Sequence, residues 1–251
     1  MVVPPAHRAA NADASPAGAP CPALPKRDGA HPHPHPPALT PAPGRMGAMS
    51  TSIATPQDVL AFWLGAYPLH TEAMQRVQAQ WFQKDDAFDS ALRERFLPTI
   101  EAALAGQLDD WAATDDGWLA LLIVLDQFTR NTFRGQPKSF AGDPLALQTA
   151  IEGIAAGRDQ RALPLARPFC YLPLEHAEDR ELQARSVALF DALAKAPGAE
   201  PAAYYANTLD YAHRHQDVIE RFGRFPHRNA ILGRASTEEE QAYLAQPGAG
   251  F

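Results

Sequence analysis

The run Trp118-Leu-Ala-Leu-Leu-Ile-Val-Leu125 is apolar on every side, and Asp126-Gln-Phe-Thr-Arg-Asn131 follows it directly. A helix that is apolar all round belongs in the centre of a protein. A buried strand would show the same run, but the polar residues that follow keep a helical phase and favour a helix from about Thr114 to Thr132. We therefore expect a central helix whose far end becomes polar.

The rest of the chain after residue 50 also has helical patterns. Starts are marked by capping residues or prolines and ends by glycines such as Gly65 and Gly106. The further predicted helices cover about 55–64, 71–82, 85–104, 143–157, 174–193, 200–222 and a short segment from 236 or 237. No alternating strand pattern and no glycine-rich nucleotide or nucleophile motif appears, which argues against Rossmann, P-loop and α/β-hydrolase enzymes.

Residues 1–49 have a different composition from the rest of the chain. They contain 12 of the 24 prolines and no aromatic residue, so we expect a disordered tail and a single domain over 50–251. The alternating His31, His33 and His35 splay apart in a polyproline helix and predict no metal site. Because Met46 and Met49 precede the first helix, a start at Met49 behind an over-extended gene start is a second interpretation of this tail.

Charge and hydropathy exclude several classes of function. The net charge of −7 argues against nucleic-acid binding. The longest apolar run, Trp118–Leu125, is far shorter than the roughly twenty residues of a membrane span. Two cysteines are too few for a disulfide framework or a cysteine zinc cluster. We expect a cytoplasmic protein without a cofactor, a metal or a membrane partner.

The first polar cluster lies at the end of the central helix. At 100° per residue, Asp126, Arg130, Asn131 and Arg134 fall on one face, with Gln127 beside them. Asp126 and Arg130 have the spacing of an ion pair within a helix. Two interpretations remain open here: a buried ion pair that orients the helix end, and a ligand pocket.

The second cluster is Glu175-His176 with Asp179. Pro173 predicts that this helix starts just before the cluster, which would put Glu175 and His176 in its first turn, among unbonded N–H groups. A carboxylate beside an imidazole is a candidate acid–base pair. A di-metal bundle would need a second Glu-x-x-His motif, and the chain lacks one.

The third cluster begins with the histidines of the helix over 200–222. His215 shares a face with apolar residues and should be buried, whereas His213 lies on the opposite face and should be exposed. The following segment holds four arginines in 14 residues; its candidate ligand-binding residues are Arg224, His227, Arg228 and Arg234. Arginine suits bidentate capture of a carboxylate or a phosphate. The alternative is a structural network with Asp126, Glu175 and Asp179, which we expect to be the acids facing the same interior.

Three sequence blocks carry a family resemblance. They are Leu125–Asn131 with Arg134-Gly135, Phe169–Asp179, and Arg221–Asn229 with Leu232–Glu238. Together they resemble the mainly bacterial family catalogued as domain of unknown function 924, over about residues 55–245. The resemblance implies an all-α fold of antiparallel helix pairs in a single tetratricopeptide-like superhelix. It implies no activity, substrate or cofactor.

These observations predict one concave site where the three clusters meet. We expect it to bind a small anionic ligand, with hydrolysis or transfer as the catalytic extension and Glu175 and His176 as the acid–base candidates. The alternative is a non-enzymatic helical module that binds a peptide or a protein. A closed pocket would favour the small molecule, and an open groove would favour the peptide.

Overall fold

The central helix of the protein is surrounded by other helices. The computed structural model describes residues 52–250, and these contain no strand, so the all-α prediction is confirmed for this part of the chain. The helices are α1 (Pro56–Leu64), α2 (Thr71–Val77), α3 (Asp86–Leu104), α4 (Asp115–Leu122), α5 (Thr129–Thr132), α6 (Asp143–Ala155), α7 (Pro168–Glu175), α8 (Arg180–Ala194), α9 (Ala202–Phe222) and α10 (Glu238–Leu244). The predictions for the tail, including its histidines, concern residues outside the described range.

Local capping determines most of the helix starts. Thr55 and Asp58 form a capping box at α1, and Thr237 and Glu240 form another at α10. Asp85 accepts hydrogen bonds from two backbone N–H groups at the start of α3. The predicted starts of these helices are confirmed, because a cap is built from residues that are neighbours in the sequence.

The helices pack around α4. This helix contacts α1, α6 and α7, and α8 packs mainly between α7 and α9. Every residue of Trp118–Leu125 is buried, as expected for a helix that is apolar all round. The tetratricopeptide-like superhelix stays a prediction.

The predicted central helix is not a regular α-helix throughout. Between α4 and α5, Ile123–Phe128 forms a π-helical segment, whose wider turn changes the phase of everything that follows. The prediction of one α-helical face through Arg134 is therefore wrong, and α5 already ends at Thr132.

Gly142 brings α6 close to the π segment. A Cβ atom on Gly142 would lie 2.0 Å from the Leu125 carbonyl oxygen, so only glycine permits this approach. Gly142 directly precedes α6, and Asp143 is the first residue of that helix. The close approach therefore places Asp143 beside the polar end of the central helix.

The helix start predicted at Pro173 is wrong. α7 begins at Pro168, contains Pro173 and ends at Glu175, and α8 begins separately after its N-cap Asp179. Glu175 and His176 therefore lie at the C-terminal end of a helix, and the His176 N–H is bonded to the Leu172 carbonyl oxygen. The argument from unbonded N–H groups does not apply to them.

Candidate functional site

A cavity of about 530 Å³ opens beside the end of the central helix. Most of the predicted site residues line it: Arg130, Asn131, Arg134, Glu175, His176, His215, His227 and Arg228. They come from α5 and the turn after it, the end of α7, α9, and the segment after α9. The structure thus brings parts of all three polar clusters to one cavity.

Asp126 connects two of these side chains from beneath the cavity wall. Its Oδ1 lies 2.7 Å from His176 Nδ1 and 3.1 Å from Arg130 Nη1, and the residue is 1% exposed. Burial opposes ionisation of Asp126, but the charges of Arg130 and His176 outweigh it and lower the pKa of the carboxyl. An ionised carboxylate can only accept, so His176 donates from Nδ1.

Asp143 is a site residue that the sequence analysis missed. Its carboxylate accepts hydrogen bonds from Nη1 and Nη2 of Arg130, at 2.8 and 3.1 Å, and from Arg228 Nη1 at 3.2 Å. The expectation that Asp126, Glu175 and Asp179 are the acids of this interior therefore left out Asp143, although Asp126 and Glu175 do lie there. The Asp143-Pro144 dipeptide predicts a helix start. This local pattern does not show which distant residues the Asp143 side chain contacts in the fold.

Glu175 and His215 form a second carboxylate–imidazole pair in the cavity wall. His215 Nδ1 lies 3.0 Å from Glu175 Oε1 and 2.8 Å from the Tyr211 carbonyl oxygen. Burial, with the nearby negative charge of Asp126, raises the pKa of Glu175 to about 8. Burial, with the neighbouring His176, lowers the pKa of His215 to about 2. At neutral pH both groups are uncharged.

His176 lines the cavity and has an available nitrogen. Its side chain is 14% exposed, and no described residue makes a hydrogen bond to its Nε2. Burial and the charge of Arg130 lower its pKa, so the neutral ring carries its proton on Nδ1 and a lone pair on Nε2.

Arg228 connects the segment after α9 to the end of α7. Its Nη2 donates to the His176 carbonyl oxygen at 3.0 Å, and its guanidinium lies over the rings of Phe140 and Phe225. Burial, with the charge of Arg130, lowers its pKa to about 10. It therefore fixes the backbone at His176 from the cavity wall.

Arg134 and Asn131, which both line the cavity, share one carboxylate partner. Both donate to Asp89 on α3, Arg134 from Nε at 2.9 Å and Asn131 from Nδ2 at 2.7 Å. Each of the three guanidinium groups that line the cavity is thus matched by a carboxylate, and Lys84, which also lines the cavity, pairs with Asp86.

The rest of the cavity wall is largely apolar. It includes Trp81, Phe82, Phe140, Pro168, Leu172, Phe190, Tyr211 and Ile231. Phe82 is 55% exposed and Tyr211 39% exposed. A large apolar wall with a few convergent polar groups is typical of small-molecule sites.

Besides Asp126, three predicted site residues are not among those that line the cavity. Asp179 accepts from the Leu182 N–H as the N-cap of α8. Arg224 is bound to Glu240, and Arg234 is bound to Glu178. The predicted convergence is therefore wrong for these residues, because glutamates missed by the sequence analysis hold the two arginines elsewhere.

The two histidines of α9 have the burial that their phases predicted. His215 is buried at 6% exposure, and His213 is exposed. No break interrupts α9 between Ala202 and Phe222, so counting at 100° per residue holds along its length.

Two features are absent from residues 52–250. Nowhere in this range do three or more His, Cys, Asp or Glu side chains come together in a way that would hold a metal ion. None of the helices described above combines the length and the apolar character that a membrane crossing requires.

Comparison with known proteins identifies the family. Residues 59–248 match the model for bacterial proteins of unknown function, DUF924. This chain is a DUF924 protein. No curated protein matches it. It is similar to the solved structure of the protein of unknown function ATU0120 from Agrobacterium tumefaciens, with 41% sequence identity and a TM-score of 0.64 over 76% of this chain and 96% of that one. The matched region of the DUF924 model includes every residue of the cavity described above.

Proposed function

We propose that the cavity binds a small carboxylate with an apolar body, and that Arg130 holds its anionic end. The supporting observation is Arg130 Nε: the guanidinium lines the cavity, and no described residue accepts a hydrogen bond from this atom. Asp143 and Asp126 already fix the other side of the guanidinium. A fixed donor that faces a cavity needs little reorganisation to bind an anion.

The charge balance favours a singly charged ligand. Asp126, Asp143 and Asp89 already match Arg130, Arg228 and Arg134. A phosphate dianion would add two uncompensated charges, and an uncompensated buried charge costs several kcal/mol. A carboxylate adds one charge beside Arg130, and a protonated Glu175 can donate a hydrogen bond in the same cavity.

The size of the cavity supports a small molecule over the peptide alternative. A volume of about 530 Å³ falls in the ordinary range for small-ligand sites. Trp81, Leu172 and Phe190 offer an apolar surface for a hydrocarbon or aromatic body. Peptide binding would instead use the open groove of a tetratricopeptide-like superhelix, an arrangement that stays a prediction for this chain.

Isothermal titration calorimetry of the full chain tests this proposal. Octanoate should bind, butyrate should bind more weakly, and octanol and inorganic phosphate should bind at least tenfold more weakly than octanoate. Arg130→Lys keeps the charge but loses the Nε–H donor. It should weaken octanoate binding by about 1.5–3 kcal/mol, the range for hydrogen bonds to charged groups.

Arg95→Lys is the matched control. Arg95 pairs with Asp58 at an exposed site, and its replacement should leave octanoate binding unchanged. Equal binding of octanol and octanoate, or equal losses in the two lysine variants, would contradict a carboxylate site at Arg130.

A further inference from the structure

The imidazole of His176 has the arrangement of a general base. Asp126 accepts its Nδ1 proton at 2.7 Å, and Nε2 makes no hydrogen bond to any described residue. A carboxylate that binds one imidazole nitrogen fixes the tautomer and the ring orientation. Nε2 is then available to take a proton from a molecule in the cavity.

Arg130 lies close enough to act on the same reacting group. Arg130 Nη1 and His176 Nδ1 are 3.1 and 2.7 Å from the same oxygen of Asp126, so these two nitrogens are within about 6 Å of each other. Both side chains line the cavity, so one carbonyl or carboxylate group can contact the guanidinium and the imidazole together.

Water is a better candidate for the nucleophile in this cavity than the Ser, Thr or Cys side chains nearby. Ser139 Oγ donates to the Gln136 carbonyl oxygen, and Thr208 Oγ1 donates to the Tyr205 carbonyl oxygen. Cys170 is buried outside the lining residues, and burial raises the pKa of its thiol. Neither hydroxyl hydrogen-bonds to His176, as an activated side-chain nucleophile would.

We propose that this protein hydrolyses carboxylic esters of apolar acids, with His176 as general base, Arg130 as oxyanion donor and Glu175 as general acid. This inference rests on the proposed function, since the carboxylate bound at Arg130 becomes the product of the reaction. Asp126 is a positioning residue, because it acts through His176. The apolar wall would hold the acyl chain.

The steps balance with water as co-reactant. His176 Nε2 takes a proton from water as the water oxygen bonds to the carbonyl carbon, and the electron pair moves to the carbonyl oxygen beside Arg130. Collapse of this intermediate breaks the carbon–alkoxy bond, and the Glu175 carboxyl protonates the leaving oxygen. The proton on His176 then passes to the Glu175 carboxylate. One ester and one water give one acid and one alcohol.

Steady-state hydrolysis by the full chain tests this inference. The substrates are 4-nitrophenyl octanoate, with a good leaving group, and ethyl octanoate, with a poor one. His176→Asn retains an N–H donor for Asp126 but removes the base. It should lower kcat for both esters by about 10²–10⁴, the usual contribution of a general base, while KM and octanoate binding stay within about threefold of wild type.

Glu175→Gln separates the acid from the base. A 4-nitrophenolate leaves without a proton, so kcat for that ester should fall less than threefold, whereas kcat for ethyl octanoate should fall at least 30-fold. For the ethyl ester, the wild-type rate should decline above about pH 8, where Glu175 loses its proton. The decline should be absent for the 4-nitrophenyl ester. A merely structural role of Glu175 does not predict this difference between the two esters.

His213→Asn is the control, since it makes the same change on the exposed face of α9. It should hydrolyse both esters as the wild type does. If the wild type binds octanoate but hydrolyses the esters no faster than His176→Asn does, this inference is overturned and the proposed binding function stands. Absence of both would overturn the two together. Turnover that survives His176→Asn in a protein that melts like the wild type would overturn the base assignment.

Discussion

Two arginine clusters of this protein are similar in sequence and different in structure. In the cluster after α9, Arg224 donates from Nε and Nη2 to Glu240, and again from Nη2 to the Ala235 carbonyl oxygen. Arg234 uses Nε, Nη1 and Nη2 on Asn229, Glu178 and a backbone oxygen. At the cavity, Arg130 has a nitrogen with no acceptor among the described residues. Arg224 also leaves its Nη1 without an acceptor among the described residues, but it does not line the cavity. An unused donor on the cavity wall, rather than the density of arginines or an unused donor alone, therefore distinguishes a candidate binding group from a structural one.

The largest expected effect comes from removing the acid that both cavity groups share. Asp126→Ala leaves Arg130 and His176 without this acceptor in a buried place. Breaking a buried ion pair costs about 3–5 kcal/mol, and we expect that loss in the free energy of unfolding measured with urea. Asp191→Ala, which breaks an exposed pair with Lys195, should cost less than about 0.5 kcal/mol. Similar losses in the two variants would show that Asp126 is not held as described.

The second prediction concerns the structural arginine. Arg234→Ala removes the hydrogen bonds to Glu178 and Asn229 from a partly exposed place, so the free energy of unfolding should fall by about 1–3 kcal/mol. Octanoate affinity, measured by calorimetry where the variant is folded, should change less than threefold. Arg130→Lys should show the reverse pattern. An Arg234→Ala variant that loses affinity as Arg130→Lys does would erase the distinction between the clusters.

The third prediction uses the pH dependence of stability. Because the pKa of Glu175 rises from 4.5 to about 8 on folding, the folded protein holds a proton that the unfolded chain loses between these values, and stability falls as pH rises through that window. The buried histidines have lowered pKa values, so the unfolded chain binds protons there that the folded protein does not, and stability rises as pH rises through about 6.5. The histidines therefore oppose Glu175 near pH 6.5, and a comparison with Glu175→Gln isolates the contribution of Glu175.

Urea unfolding at several pH values measures this slope. Relative to Glu175→Gln, the wild type should lose up to ~1.4 kcal/mol per pH unit between pH 6.5 and 8. Glu175→Gln cannot ionise at this position and should keep only the slope that the histidines cause. Equal slopes in the two proteins would mean that Glu175 does not hold the proton.

The smallest effect is expected at a third arginine of the segment. Arg221 pairs with Glu239, and both side chains are about half exposed or more. Arg221→Ala should change the free energy of unfolding by less than about 0.5 kcal/mol and should leave octanoate binding unaltered. A loss above 1 kcal/mol in urea unfolding would show that exposure does not separate the weak pairs of this segment from the strong ones.

The sequence predicts the helices of this protein better than the breaks between them. Caps such as Thr55 and Thr237 can be predicted from the sequence, since donor and acceptor are three residues apart. Pro173 misleads because proline favours the first turn of a helix, yet here the helix had already started at Pro168. The π segment is missed because counting at 100° per residue assumes a regular α-helix.

The candidate site is predictable in its residues and not in its pairings. Arg130, Glu175 and His176 follow from clustering and helical phase, and the structure places them around one cavity. Asp143 and Glu240 already have local roles at helix starts, so the sequence gives no reason to look for a second role. Their contacts with arginines join residues far apart in the chain, and only the folded structure shows them.

The π segment makes the site depend on the length of the chain as well as on its residues. A π turn holds more residues than an α turn, so the loss of one residue within Ile123–Phe128 would let the helix continue as a regular α-helix. Every later residue would then be displaced by about 100° around the axis, and Arg130 would leave Asp143. When relatives are aligned, a gap inside this segment therefore matters as much as a substitution: a sequence can keep each motif residue and still have lost the arrangement.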